Sequence, residues 1–421
     1  MYLYNNQLMR ILEFPAYFYP ESMSSAHLDE TLRQAIVDAG MEMTIYCPTP
    51  TRGITPEERK AYKKRKLDKM YDGHVTVHRF SLYGEGKNPV LRALRYTLSC
   101  VMQFNRAVFA KDARRADVMY ITSTPPIKGA MAGLAKKFNH KPIVYNLQDI
   151  FPDSLVGSGL AKKGGLLWRI GRAIEDFTYR SSDKIIVISE DFKKNIMAKG
   201  VPEDKIVVVY NWVDENVIVP VKEKDNDLFE EFGVSRDKFR VVYAGNLGNA
   251  QNIEIIIDAA RKLKDNPKIE FVIFGKGGME NEIKQIKANE QLDNLKILPL
   301  QPFDRVAKVY GLGHLCIVAC KPGLGGAAMP SKTWSIMSSG RAVLANFDEG
   351  ELKEIVENNH CGAFTKAGDL EAFLSTIENL SLHPEQCAEM GANGRQFILE
   401  NLTRAVGTQK YVNVIKSVLK Q

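Results

Sequence analysis

Residues 240–251 read RVVYAGNLGNAQ, and they are the most informative part of the sequence about its fold class. A continuous apolar run leads directly into Gly245 and Gly248, and a helix-length segment follows. A strand without polar alternation is typical of a parallel sheet that is covered by helices on both faces. Glycines at such a turn let backbone N–H groups approach a ligand at the start of the helix. The stretch therefore predicts an α/β fold with a ligand-binding loop.

The same alternation of strand and helix extends in both directions from this stretch. Strands are predicted at residues 10–14, 43–47, 75–80, 118–122, 142–146, 184–188, 205–209, 240–244, 270–274, 295–298, 315–319, 342–345 and 363–365. Segments with apolar residues at spacings of three and four lie between them, so two doubly wound α/β domains are expected. The boundary is expected within residues 211–237, which are charged and weakly periodic. Ligands of such sheets bind beyond the carboxyl ends of the strands, which favours a central cleft that the two domains face.

Composition excludes several protein classes. The chain has 421 residues, 45% of them hydrophobic and 25% charged, which is the balance of an ordinary globular protein and not of a disordered or collagen-like one. No uncharged apolar run is long enough for a membrane span, and the N-terminus lacks the pattern of a secretory signal. The six cysteines are scattered and form no CxxC pair, which predicts reduced thiols in a cytoplasmic protein without a zinc site.

Charge is distributed unevenly between the two halves. Residues 1–210 carry 32 Lys and Arg against 22 Asp and Glu, a net charge of +10, whereas residues 211–421 have a net charge of −3. Seven of the eleven residues from 59 to 69 are basic, and residues 87–141 hold eleven basic residues against two acidic ones. Such a surface attracts polyanions such as anionic lipid headgroups or nucleic acid. A solvated, lysine-rich face without a partner explains the pattern equally well.

Two further loops of the second half have the composition of anion-binding sites. Residues 274–278 read FGKGG, and residues 321–332 read KPGLGGAAMPSK. In the second loop, free N–H groups, the Ser331 hydroxyl and the Lys332 ammonium are expected to converge at the start of a helix. The helix dipole disfavours a lysine in the first turn, so its presence points to a ligand anion. Glycine at such turns also has a purely steric explanation.

Two loops of the first half follow predicted strands. One contains Glu21, Ser22, Ser25 and His27, and the other, residues 146–154, contains Asp149 beside aromatic and proline residues. Asp149 is a candidate for acceptor binding or proton transfer, although an aspartate there also caps turns. Residues 90–111 predict one long apolar helix with arginines, which either lies at a membrane interface or packs in the core. No Ser–His–Asp order, HExxH or metal-spaced cluster appears.

Taken together, these motifs resemble those of family 4 glycosyltransferases with the GT-B fold. The resemblance covers nearly the whole chain and is carried by GNLG, FGKGG, LPLQPF (298–303), PSK (330–332), SSGRAV (338–343) and NWVD (211–214). With QDIFPDS (148–154), it is similar to the branch that builds O-antigen and capsule polysaccharides and includes N-acetyl-L-fucosamine transferases. The resemblance implies an N-terminal acceptor-binding, membrane-facing domain, residues 1–210, completed by a C-terminal helix of about residues 402–421. Residues 211–401 would then form the nucleotide-sugar-binding domain.

The resemblance also implies roles for individual residues. By the resemblance, Lys332 would supply charge at the diphosphate and would be catalytic. From the loops that follow the predicted strands, we expect Asp149 to be a second catalytic residue, and Glu21, Ser22, Ser25 and Asp149 to bind the acceptor. No metal or other cofactor is implied. The residues implied to bind the donor are Gly245, Asn246, Gly248, Gln251, Gly275, Lys276, Gln301, Pro302, Gly325, Gly326, Ser331, Lys332 and Ser335.

The chain departs from the family pattern at two places. Many members carry an arginine and a lysine where this chain has Asn246 and Asn249 or Gln251. Many also carry two glutamates eight positions apart, where this chain has Ala327 and Ser335. The first departure leaves more of the diphosphate charge to Lys332 and to backbone N–H groups. The second removes the usual contact to the ribose.

The resulting expectation is a cytoplasmic glycosyltransferase, peripheral on the inner face of the cell membrane. It would transfer a sugar, N-acetylated and carried by UDP, with retention onto a lipid-diphosphate-linked saccharide of a cell-surface polysaccharide. One alternative is a UDP-sugar epimerase with the same fold, which needs no acceptor. An alternative of another class is a basic nucleic-acid-binding protein, although no motif for reading DNA or RNA is present.

Overall fold

The computed structural model describes residues 8–21, 26–86, 88–157 and 161–419. The chain forms two compact units, of which the first comprises Met1–Tyr210 with Gly407–Gln421 and the second comprises Asn211–Val406. From the sequence, the C-terminal segment that belongs to the first unit is expected to begin at about residue 402. In the structure it begins at Gly407, within the last helix.

The first unit is built on an eight-stranded sheet with the order β3-β4-β2-β1-β5-β6-β7-β8, in which only β3 is antiparallel to its neighbour. The strands are β1 Arg10–Glu13, β2 Glu42–Pro48, β3 Leu67–Met70, β4 Val75–Phe80, β5 Val118–Thr122, β6 Ile143–Leu147, β7 Lys184–Val187 and β8 Ile206–Val208. The helices are α1 Ala26–Asp38, α2 Pro56–Lys64, α3 Pro89–Phe109, α4 Lys111–Arg114, α5 Ile127–Asn139, α6 Asp153–Gly157, α7 Leu166–Ser181 and α8 Glu190–Ala198.

The second unit is built on a six-stranded, wholly parallel sheet with the order β11-β10-β9-β12-β13-β14. Its strands are β9 Phe239–Asn246, β10 Ile269–Lys276, β11 Leu295–Pro299, β12 Leu315–Ala319, β13 Ala342–Phe347 and β14 Gly362–Lys366. Its helices are α9 Leu228–Phe232, α10 Ile253–Lys262, α11 Glu280–Glu290, α12 Val306–Gly311, α13 Lys332–Ser338, α14 Glu351–Asn358, α15 Leu370–Leu382 and α16 Pro384–Asn401. The last helix, α17 Arg404–Ser417, passes from this unit into the first.

Burial explains why the strands have no polar alternation. Every residue of β12 and β13 is buried, because helices cover both faces of the sheet. The core of the second unit is formed largely by side chains of β9, β10 and α10, among them Val241, Phe271 and Ile256. All six cysteines are buried free thiols.

The strand order fixes where a ligand of the second unit binds. From β9 the chain runs outward through β10 to β11, and then returns to the other side of β9 to form β12. The direction of winding therefore reverses between β9 and β12. In open α/β sheets such a reversal leaves a crevice at the carboxyl ends of the two strands, and this crevice is the usual binding site.

Candidate functional site

Three strand-end loops of the second unit meet around this reversal. They follow β9 (residues 247–251), β10 (residues 277–279) and β12 (residues 320–331). The Lys321 N–H donates to the Ala250 carbonyl at 3.0 Å, and the Met279 N–H donates to the Leu247 carbonyl at 3.0 Å. Backbone hydrogen bonds therefore hold the three loops against one another.

Lys332 is the cation at the centre of these loops. It opens α13, and its half-buried ammonium lies 4.1 Å from the centroid of the Tyr243 ring and donates to the Tyr243 hydroxyl at 3.0 Å. Among the described residues, no carboxylate pairs with this ammonium. Burial lowers the pKa of Lys332 to about 7, because no anion compensates for the lost hydration. The site therefore holds a cation that an incoming anion would stabilise.

Tyr243 and Gly245 position this cation. The Tyr243 hydroxyl accepts from Lys332 and donates to the Asn246 carbonyl at 2.7 Å, so its own orientation is fixed. Gly245 has φ +145°, and a Cβ on it would lie 2.9 Å from the Lys332 Nζ. Only glycine therefore leaves room for the ammonium beneath the loop. Tyr243 has a role that the sequence analysis missed, although its place two residues before the first glycine was a usable signal.

The polar residues after β9 form a small surface cluster. The exposed Asn246 side chain donates from Nδ2 to the Gln251 Oε1 at 3.3 Å. A Cβ on Gly248 would lie 2.7 Å from that oxygen and 2.9 Å from the Asn246 Nδ2. The structure thus brings together Asn246, Gly248 and Gln251, three of the residues predicted to bind a donor. The missing side chain at Gly248 gives the two amide side chains room to contact each other.

The glycines after β10 have a steric role. A Cβ on Gly275 would lie 2.6 Å from the Leu247 side chain, and one on Gly277 would lie 2.5 Å from the Leu247 backbone. Gly275 is therefore required by close packing of the β9 and β10 loops, and the structure gives no separate sign of ligand approach there. Lys276 is exposed at the end of β10, where its charge faces solvent.

The glycine-rich loop after β12 is anchored by Asp348, which directly follows β13. Its carboxylate accepts from the Gly323 N–H at 3.0 Å and from the Gly325 N–H at 2.7 Å. The expectation that free N–H groups of this loop face a ligand is therefore wrong for these two, because a carboxylate of the protein occupies them. Gly326 is exposed, and a Cβ on it would meet no atom within 4 Å. Asp348 follows a predicted strand, but its partners lie 23 and 25 residues away and no local pattern reveals them.

The remaining predicted donor residues lie at the same edge of the sheet. Ser331 is exposed and precedes α13 without capping it through its side chain, and Ser335 is half-buried one turn later. Gln301 donates to the Pro299 carbonyl at 3.0 Å and accepts from Arg305 at 2.8 Å, which fixes its amide beside the exposed Pro302.

A second cation of the site, Lys321, was not predicted. It forms an ion pair with Glu254 at 2.8 Å and also contacts the Asn249 side chain. Its charge is compensated within the protein, in contrast to the charge of Lys332. Lys332 therefore has a positive charge available for a ligand anion, whereas the charge of Lys321 is already paired with Glu254.

In the first unit, Glu21 has a structural role. Its buried carboxylate accepts from the N–H groups of Phe18 at 3.1 Å, Thr51 at 2.7 Å and Arg52 at 3.0 Å. These bonds tie the loop after β1 to the loop after β2, and they occupy both oxygens that were expected to face an acceptor. Ser22 and Ser25 lie outside the described residues.

Asp149 lies on the surface, two residues after the end of β6. Protein atoms around its carboxyl group raise its pKa above the ordinary value, while a hydrogen bond with Ser154 acts in the opposite direction. The end of β6 is held by α17, because the Tyr411 hydroxyl donates to the Asn146 side chain at 3.0 Å. The neighbouring Asp153 pairs with Lys199 at 2.8 Å and so serves packing. The hydrogen bond of Asp149 with Ser154, in the first turn of α6, means that the alternative of a capping role still applies to Asp149.

Within residues 8–21, 26–86, 88–157 and 161–419, no three His, Cys, Asp or Glu side chains come close enough together to hold a metal ion. In the same part of the chain, no helix combines the length and the apolar composition needed to cross a bilayer.

Two protein-family models match the chain. The model described as "Glycosyl transferase 4-like domain" matches residues 30–212, and the one described as "Glycosyl transferases group 1" matches residues 224–397. The two matches fall on the first and the second unit in turn and together span most of the sequence.

Relatives with similar sequences are named as glycosyltransferases. The putative colanic acid biosynthesis glycosyl transferase WcaI of Escherichia coli is 25% identical over 354 residues, which cover 83% of this chain and 86% of the relative. The probable glycosyltransferase WbjE of Pseudomonas aeruginosa is 25% identical over 312 residues, which cover 73% of this chain and 76% of the relative.

Solved structures are similar over nearly the full length. Sucrose-phosphate synthase from Thermosynechococcus elongatus aligns with a TM-score of 0.77 at 14% identity, over 98% of this chain and 99% of that one. Anabaena HepE, solved in complex with UDP, aligns with a TM-score of 0.71 at 15% identity, over 97% of this chain and 100% of that one.

Proposed function

This chain is a family 4 glycosyltransferase with the GT-B fold, and from that premise we propose its reaction. It transfers a sugar from a UDP-sugar to a lipid-diphosphate-linked saccharide, with retention of the anomeric configuration and without a metal or other cofactor. The sugar is N-acetylated, as in the branch that the sequence resembles. The enzyme works on the cytoplasmic face of the cell membrane, in the synthesis of an O-antigen, a capsule or a related surface polysaccharide.

The observation that carries the donor assignment is the uncompensated ammonium of Lys332. A nucleotide-sugar brings a diphosphate, and negative charge grows on that diphosphate as the bond to the sugar breaks. A cation held in place before the reaction stabilises this charge more than water does, because it needs no reorganisation. Lys332 lies among the strand-end loops, above the Tyr243 ring, and no anionic side chain within the described part of the chain has to be displaced from it first. Two structures of one neighbour of low identity, Anabaena HepE, are named as complexes with UDP and with UDP-glucose, which supports a uridine donor.

The proposed retention is supported by the groups available beside the proposed diphosphate site. The strand-end loops hold Asp348, but its carboxylate is engaged with two N–H groups and is not free to attack the sugar. The leaving phosphate is then the base that takes the proton of the acceptor hydroxyl on the same face of the sugar. Asp149 positions the acceptor, since its surface carboxylate follows a strand end of the first unit.

The acceptor assignment is supported by the basic first unit and by the relatives. A lipid diphosphate is anionic and lies in a negatively charged membrane, so a unit with a net charge of +10 over residues 1–210 is attracted to both. One relative is named for the biosynthesis of colanic acid.

The proposal is tested by a donor screen followed by a transfer assay. UDP- and GDP-sugars are first compared by the thermal shift they cause, and UDP-N-acetylhexosamines are expected to give the largest. Transfer to membrane lipid extracts is then followed by NMR of the anomeric proton, and the product is expected to keep the configuration of the donor. An inverted product would refute retention, and turnover to an epimeric UDP-sugar without acceptor would establish the epimerase instead. A strongly salt-dependent oligonucleotide shift without any donor binding would favour the nucleic-acid alternative.

A further inference from the structure

Helices α3, α5 and α7 form one layer on the first unit, and its outer surface is unusually apolar. The side chains of Phe104 on α3 and Phe138 on α5 meet edge to face with centroids 5.8 Å apart. The Lys137 ammonium on α5 lies 5.6 Å from the centroid of the Phe177 ring on α7. A Cβ on Gly133 of α5 would lie 2.6 Å from the Ser181 hydroxyl of α7, so these two helices approach closely. The three outer surfaces are therefore continuous.

Large apolar side chains are exposed along each of the three helices. They recur at helical spacing, which places those of each helix on one side. We call this surface the three-helix face; its exposed apolar residues are Leu91, Leu94, Leu98, Val101, Phe109, Leu134, Phe138, Leu166, Leu167 and Ile170. Phe138 is 64% exposed and Leu166 is 78% exposed, values that the fold alone does not explain. A contiguous apolar patch of this kind marks an interaction surface.

The charge of the three-helix face selects the partner. The three helices contain nine lysines and arginines and two acidic residues. Of the acidic residues, Glu175 is buried, and Asp176 pairs with Arg172. The exposed cations in or beside the face are Arg106, Lys111, Arg114, Arg115, Lys137, Lys162, Lys163 and Arg169. A face that is both apolar and basic is complementary to an anionic bilayer, in which Leu and Phe enter the headgroup boundary while Lys and Arg reach the phosphates.

The lysine-rich segment at residues 59–69 lacks this combination. Helix α2 has neither a buried residue nor an exposed large apolar one, and Leu67 alone among the large apolar residues of the segment is exposed, so the segment offers mainly charge. The Tyr62 ring lies between Arg65 and Arg79, with distances of 5.8 Å and 4.9 Å to its centroid. That segment suits long-range attraction, whereas the three-helix face suits insertion.

We propose that the three-helix face is the membrane-docking surface of this protein and inserts into a leaflet rich in anionic lipid. The inference rests on the proposed lipid-linked acceptor, because docking brings the first unit to the plane in which that acceptor lies. A second copy of the chain is disfavoured as the occupant, since a symmetric pairing would place two basic faces against each other. The anionic leaflet supplies the opposite charge.

Vesicle flotation with a triple variant tests the docking surface. The variant Leu98→Glu, Leu134→Glu, Ile170→Glu places one carboxylate on each helix of the face. A matched control, Val217→Glu, Leu382→Glu, Leu399→Glu, places the same charge on exposed apolar residues of the second unit. The wild type and the control are expected to float with vesicles of equal phosphatidylglycerol and phosphatidylcholine, and neither should float with phosphatidylcholine alone. The face variant is expected to bind the anionic vesicles at least tenfold more weakly.

Three results would overturn the docking surface. One is wild-type protein that does not bind anionic vesicles, and another is a face variant that binds as well as the control. The third is a wild-type dimer in light scattering that the face variant converts to a monomer without any vesicle effect, because the face would then join two copies. The thermal shift caused by a UDP-sugar, measured on all three proteins, checks that they are folded. Failure of the proposed function would appear separately, as absence of transfer by a wild type that still binds vesicles.

Discussion

Replacement of Lys332 by methionine removes the charge on which the proposed donor binding depends and keeps the length of the side chain. The ammonium lies 3.0 Å from the Tyr243 hydroxyl, and its pKa is lowered from 10.5 to about 7. A charge-assisted phosphate contact of this kind contributes about 2–4 kcal/mol. At pH 6, where the lysine is protonated, Lys332→Met should therefore weaken UDP-sugar binding by roughly 30- to 1,000-fold.

The dependence of this effect on pH is specific to a lysine with a lowered pKa. Above pH 7 the free protein has lost the proton that the diphosphate requires, and restoring it costs about 1.4 kcal/mol per pH unit. The wild type should therefore bind a UDP-sugar about 100-fold more weakly at pH 9 than at pH 6, while Lys332→Met should show a flat profile. At pH 8 the wild type should take up about one proton on binding.

Isothermal titration in buffers of different ionisation enthalpy measures both the affinity and the proton uptake. A UDP-sugar is preferable to UDP, because its diphosphate does not titrate in this range. The matched control is Lys366→Met, which removes an exposed lysine at the end of β14. Unchanged affinity in Lys332→Met, or a wild-type affinity that does not depend on pH, would refute the reasoning.

The same lowered pKa makes a prediction for stability, and three further predictions concern the loops. Between pH 7 and 10.5 the unfolded chain holds the Lys332 proton that the folded chain has released, so the unfolding free energy should rise with pH in the wild type and less in Lys332→Met, as followed by urea titration. Gly277→Ala, whose Cβ would lie 2.5 Å from the Leu247 backbone, should lose about 1–3 kcal/mol or more of unfolding free energy, whereas Gly278→Ala, with no atom within 4 Å, should be neutral in the same titration. Asp348→Ala should lower stability by about 1–3 kcal/mol and weaken donor binding, because two N–H groups lose their acceptor; an unchanged melting temperature would contradict this. Asp149→Asn should lower the turnover of transfer while leaving the Kd for UDP-sugar unchanged, and an equal loss in both would contradict its role on the acceptor side.

Much of the fold was accessible from the sequence, because two-sided burial leaves a continuous apolar run. Each predicted strand is present, and β4, β5 and β12 have the predicted bounds. Strand β3 was missed, since it is a four-residue antiparallel edge strand inside the lysine-rich segment. Its Asp68 is buried against Arg79 at 3.1 Å, a contact across eleven residues that no local pattern indicates.

The candidate site was predictable to a smaller extent. Lys332 was identified because a lysine at a helix start opposes the dipole, and in the structure none of the described carboxylates pairs with its ammonium. The use of Asp348 to hold the glycine-rich loop was not predictable, because it depends on where β13 lies in the sheet. Gly275 was assigned to the donor, while the Leu247 side chain gives a steric reason for a glycine there. A glycine pattern indicates that another atom lies close to the backbone. It does not tell whether that atom belongs to a ligand or to the protein itself.

Donor binding as proposed requires that the strand-end loops of the second unit hold the diphosphate through Lys332. A crystal structure of the protein with a bound UDP-sugar tests it most directly. We expect a diphosphate oxygen within about 3 Å of the Lys332 Nζ, at the reversal between β9 and β12. A diphosphate bound elsewhere, with the Lys332 ammonium still on the Tyr243 hydroxyl alone, would contradict it.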